Sequence, residues 1–157
     1  MITINEVIAD AAAAIQANSA LATWISTNFP GESLRIQIGE DAAAPLGEEH
    51  APFVVLLPAM QPYDVGTAVQ ERRPAFDVEW GVVSNASTTA PATGIITYTG
   101  HTLRDEMGMK LYDVLIAQFG ENLGNVSYQL MGAAPLWEGG MTVTLQYWPG
   151  IKTEPTA

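Results

Sequence analysis

Phe76-Asp77-Val78-Glu79-Trp80-Gly81-Val82 is the stretch on which the reading of this chain turns. Large apolar side chains occupy every second position, and the residues between them are two acids and a glycine. That period of two is the mark of a strand with one buried face and one outward, acidic face. Pro74, just ahead of it, is expected to keep the beginning of the strand off a central ladder. Upstream, Phe53-Val54-Val55-Leu56-Leu57 is apolar on both faces, as suits a central strand, and Pro58 ends or edges it. Before that, Leu34, Ile36 and Ile38 alternate with Arg35 and Gln37 in a first, one-sided strand.

The flanks of these strands change period. Ile4, Val7, Ile8, Ala11 and Ile15 share one helical face, and Asn18 or Ser19 can cap a continuation through Leu21, Trp24 and Ile25 that stops before Pro30-Gly31. On the other side, residues 85–100 are Ser, Thr, Ala, Gly and Pro with little bulk, the composition of a mobile connection. Thr99 or Thr102 then caps a second helix, whose stripe of Leu103, Met107, Leu111, Val114, Leu115 and Gln118 ends at Gly120. Val126, Tyr128 and Leu130, then Met141, Val143, Leu145 and Tyr147, read as a closing antiparallel hairpin around a loop containing Pro135 and the pair Gly139-Gly140.

Assembled, the elements make an α+β fold: a two-layer sandwich, mainly antiparallel, with two amphipathic helices packed on one face of the sheet. Residues 1–150 form a single domain and 151–157 a frayed tail. The uncovered sheet face would carry Arg35, Gln37, Asp77, Glu79, Ser127, Gln129, Thr142, Thr144 and Gln146, and it is either wet or meets a partner. The 157 residues suffice for one core of ordinary size. Their longest apolar run falls far short of a membrane span, and no basic residue opens the chain as in a secretory leader. The reading is of a soluble protein.

Charge and composition narrow the function. Seventeen acids against six bases give a formal charge of −11, which disfavours gripping phosphate backbones. Without cysteine there are no disulfides, no thiolate nucleophile and no Cys-ligated metal. His50 and His101 stand apart and have no metal-ligand spacing around them. No nucleophile elbow, phosphate loop or dinucleotide fingerprint occurs. The pairs Glu48-Glu49 and Asp77 with Glu79 read as solvated acids, so neither catalytic residues nor cofactors are expected. Two features stand out. Arg72-Arg73 closes a segment, Met60 to Pro74, in which Pro62, Tyr63 and Gly66 suggest an extended arm; the pair either docks on an acidic neighbour or balances local acids. Leu136-Trp137, in the last hairpin loop, is buried either by an interface or by folding back as a core plug.

The order of elements, with the strings Ala51-Pro52-Phe53-Val54-Val55-Leu56-Leu57, Ala75-Phe76-Asp77-Val78-Glu79-Trp80, the helix Leu103 to Phe119, and Val126-Ser127-Tyr128 followed by Leu136-Trp137-Glu138 and Met141 to Tyr147, resembles the tail-terminator proteins of long-tailed bacteriophages. That resemblance implies a homo-oligomeric ring, usually a hexamer, that ends the tail tube and presents a docking surface to the head. Its partners would be copies of itself, the tail-tube protein and a head-completion or connector protein, with DNA passing through the lumen without specific binding. Its location would be the virion tail, assembled in the cytoplasm of the host bacterium. No catalytic residue carries over. The long connection 85–100 departs from the smaller members of the family. Candidate contact residues are Arg35, Tyr63, Arg72, Arg73, Leu136 and Trp137. The alternatives are a neck or head-tail connector protein of the same fold, a small α+β ligand-binding domain with an aromatic-lined pocket, and a hydrolase with carboxylates converging in a cleft.

Overall fold

A reciprocal cap starts the first helix: the Thr3 hydroxyl accepts the Glu6 N–H, and the Glu6 carboxylate accepts the Thr3 N–H at 2.6 Å. The computed structural model describes residues 3–59 and 73–149. Helix α1 (Ile4–Ala17) ends at Asn18, whose extended backbone breaks the helical path while its side chain accepts the Leu21 N–H at 2.8 Å. One residue thus ends α1 and caps α2 (Ser19–Asn28), so the expected continuation is a separate helix.

Strands β1 (Arg35–Ile38), β2 (Phe53–Pro58), β3 (Ala75–Val83), β6 (Leu123–Ala133) and β7 (Leu136–Leu145) form one sheet in the order β1-β2-β3-β7-β6. Three ladders are antiparallel, while β1 runs parallel to β2. The connection 39–52 is long enough to return the chain to the same end of the sheet, as a parallel pair requires. Helix α3 (Gly100–Phe119) joins α1 over one face. The core lies between them: Val7, Ile8, Ala11 and Ile15 of α1 and Met107, Leu111, Val114 and Leu115 of α3 meet Val54, Leu56, Phe76, Val78, Trp80, Val82, Met141, Val143 and Leu145. The two-layer α+β architecture therefore stands as read, with α2 as a third helix.

Trp80 fixes how closely the two layers approach. Its indole lies between Gly108 of α3 and Gly139, its opposite residue on β7, and a Cβ at either glycine would overlap the ring. The indole Nε1–H donates to the Arg104 carbonyl at 2.9 Å. Gly139-Gly140 is therefore not a turn. It lies inside β7, and the chain reverses instead at Ala134-Pro135. The physical reason is long-range: glycine there makes room for an indole on the neighbouring strand.

Other expectations are corrected. Pro74 does not keep β3 off a central ladder, since β3 is the middle strand; Pro74 precedes its first residue and uses its carbonyl to accept the Leu145 N–H at 2.9 Å. Within 85–100 the chain folds into a hairpin, β4 (Ser87–Thr89) with β5 (Ile96–Tyr98), whose residues are exposed as expected. Thr99 takes the N-cap position of α3, but its hydroxyl donates to the Ala86 carbonyl at 3.2 Å rather than capping the helix. Gln118 is exposed, not part of the buried stripe, and Ile38 is half exposed at the sheet edge. The expected arm, with Tyr63 and Arg72, and the tail 151–157 lie outside the described residues.

Candidate functional site

The uncovered sheet face is built by parity. On β3, Phe76, Val78, Trp80 and Val82 point to the helices, so Asp77 and Glu79 point away; opposite them on β7 are Thr142 and Gly140, and beyond those on β6 are Ser127 and Gln129. These residues line a shallow, half-open basin of about 340 Å³. Its floor is polar. The Thr142 hydroxyl donates to Asp77 Oδ1 at 2.6 Å across the β3–β7 ladder. The face predicted from the sequence is thus present, although its β2 side is covered: Phe53 and Val55, of the same parity, are buried, with the Phe53 ring seated over Gly81. The 3₁₀ turn Glu48–His50, within the connection 39–52, lies against β3.

Acids gather on this face. Partial burial, and then the charges of Glu40, Asp77 and Glu138, raise the Glu79 carboxyl above its ordinary value of 4.5. Glu40 and Glu138 join the group only through the loop path and the strand register, which residue spacing does not reveal. Between 4.5 and its raised value the native state binds this proton more tightly than the unfolded chain, so stability falls as pH rises through that window. Glu79→Gln is therefore expected to raise the melting temperature at neutral pH and to lose that advantage below pH 4.5. Because the partly shielded side chain stays largely open to water, solvent screening holds the gain below about 1 kcal/mol. Paired thermal melts at the two pH values check this, and a larger gain at acid pH would contradict it.

The candidate contact residues do not form one patch. Arg35 is exposed on edge strand β1, in register through Phe53 and Gly81 with Glu138, three strand spacings or roughly 14 Å away. Leu136 and Trp137 lie at that same end of the sheet, but within β7 rather than in a loop. Arg73 is exposed two residues before β3, whose first residue, Ala75, lies about 20 Å along the strand from Gly81. Trp137 has folded back as a plug. Its Nε1–H donates to the Ser84 carbonyl at 3.0 Å, its ring rests on the Gly100 backbone, and Tyr98 and His101 stack around it at 6.3 and 6.2 Å. His50 Nδ1 accepts the Gly47 N–H at 3.0 Å. Among the described residues no three His, Asp or Glu side chains converge as metal ligands would.

A surface that residue types did not single out is the outer edge of β6. From Ser127 to Ala133 every residue is exposed, including Tyr128, Leu130 and Met131. Tyr128 meets Tyr112 of α3 edge to face at 6.3 Å. Compared with models of protein families and with curated proteins, the chain matches none.

Proposed function

We propose that this chain is a non-enzymatic structural subunit of a phage or prophage tail, one that forms a ring to terminate the tail tube and join it to the head. The observation that carries the reading is the uncovered sheet face, a broad polar surface on which Glu40, Asp77 and Glu138 lie close enough to Glu79 to act on its carboxyl. An anionic surface does not hold phosphates, so a channel lined by it lets DNA slide. The segments that carry the resemblance to tail terminators correspond to β2, β3, β6 and β7, which build this sheet, and to α3, which covers its other side. A neck or connector protein of the same fold would share the chemistry and differ in partner. The small-ligand reading is weaker, because the basin is shallow and mainly polar, with Tyr128 the one aromatic residue along it.

Copies carrying −11 each repel, so salt should favour the ring. Light scattering on size-fractionated protein at low and high salt, with electron microscopy of the same fractions, should find a six-fold species with a central opening. A protein that forms no ring under any of these conditions, and does not cap purified tail tubes, would overturn the proposal.

A further inference from the structure

We infer that β6 is a docking edge for a second copy of the chain, paired antiparallel to itself about a two-fold axis at Tyr128. The edge is unguarded. Sheets ordinarily protect edge strands with charges, prolines, bulges or shortness. The opposite edge, β1, has four residues and Arg35. By contrast β6 spans eleven residues, Leu123 to Ala133, with no charge and no proline, and its one irregularity lies at the far end, between Leu123 and Val126.

The backbone of β6 is oriented for this pairing. Leu145 N–H donates to the Pro74 carbonyl, so odd-numbered residues of β7 bond to β3 and even-numbered ones to β6. Thr142, Gly140 and Glu138 stand opposite Ser127, Gln129 and Met131, which therefore bond inward. The N–H and C=O groups of Val126, Tyr128 and Leu130 consequently point out of the sheet, and the described residues supply them no partner.

The occupant follows from the sequence of the strand and the charge of the chain. Around Tyr128 the residue types are nearly symmetric: Val126 matches Leu130, Ser127 matches Gln129, and Gly124 matches Gly132. A two-fold placed there lets the outward groups of residues 126, 128 and 130 bond those of 130, 128 and 126. It sets Tyr against Tyr and Val against Leu on the helix side, and Ser against Gln on the open side, pairs that stabilise a ladder. Met109 and Ile116 share the face of α3 that carries Tyr112, and they are 69% and 42% exposed beside the edge. The same surface on a second copy, apolar apart from Asp113, would cover them. Elsewhere two molecules of charge −11 bring acids together, whereas residues 122–137 carry none. Arg104, which donates to the Met131 carbonyl at 3.1 Å, is balanced by Asp105 at 2.8 Å.

A two-fold contact closes on itself and cannot propagate around a ring, so the inference stands apart from the tail reading. The test compares wild type with Tyr128→Lys by light scattering over a wide concentration range. Where no rings form, wild type is expected at twice the 16.8 kDa chain mass, and the variant at the single mass with unchanged circular dichroism. If rings also form, wild type should give paired rings and the variant single ones, so loss of pairing and absence of rings are read separately. Two further readouts are independent of the Lys variant. In wild type, amide exchange at Val126, Tyr128 and Leu130 should slow at least tenfold as concentration rises, while Ser127 and Gln129 stay unchanged. In this cysteine-free chain, a short bis-maleimide should link Tyr128→Cys molecules efficiently and Thr142→Cys molecules poorly. Identical masses for wild type and Tyr128→Lys, exchange independent of concentration, or equal cross-linking at both sites would each overturn it.

Discussion

Trp80→Ala should lower the unfolding free energy by about 3–5 kcal/mol, the range for deleting a large aromatic group from a packed core. The side chain is 1% exposed and is the largest in the core. Its walls cannot collapse inward. Gly108 and Gly139 on either side have no side chains to rotate into the space, and the backbones that carry them are held by α3 and by both ladders of β7. The Arg104 carbonyl also loses its indole donor. Urea denaturation at neutral pH measures the effect, and a loss below about 2 kcal/mol would mean that helix and sheet can close over the void.

Asn122→Asp should cost about 2–3 kcal/mol at neutral pH, the upper part of the range for an unmatched buried polar group. Asn122 is buried at 6% exposure and clamps the end of β7: Oδ1 accepts the Tyr147 N–H and Nδ2 donates to the Tyr147 carbonyl, both at 2.9 Å. Its own carbonyl accepts the Gln146 N–H at 2.9 Å. An aspartate keeps the acceptor but sets a carboxylate oxygen against the Tyr147 carbonyl. Burial raises such a carboxyl above its unfolded value, so the penalty is full above the raised pKa and declines as pH falls through it, where a protonated oxygen can donate as the amide did. Denaturation midpoints across acid and neutral pH test this, and a penalty that grew on acidification would refute it.

What could be read from the sequence was what lies close along the chain. The alternation Phe76 to Val82 and the stripes Val7 to Ile15 and Leu103 to Leu115 each declare a buried face within their own residues, and they sufficed for the two layers. The open face with Asp77, Glu79, Ser127, Gln129 and Thr142 followed from the same parity. Strand direction and order did not, because the pattern Leu34, Ile36, Ile38 is the same whether β1 runs with or against β2. Gly139-Gly140 reads as a turn in the sequence for a related reason: its explanation, Trp80, is distant in sequence and adjacent only through the register. Trp137 reads from its type either as a contact or as a core plug, and only Ser84, Tyr98 and Gly100, distant along the chain, decide for the plug. The residues of β6 do not mark it as an edge, because a strand's neighbours decide that.

The β4–β5 hairpin has a practical use. Its base is tied where Ala86 O accepts both the N–H and the hydroxyl of Thr99, at 2.9 and 3.2 Å, just before α3 begins. Beyond that tie the strands pair only with each other, and residues 85–98 are exposed. Insertions are tolerated where little packing depends on the backbone. The tip, Ala90 to Gly94, is therefore the natural place to splice an affinity tag or a fluorophore, leaving both sheet edges and the acidic face clear for whatever they meet.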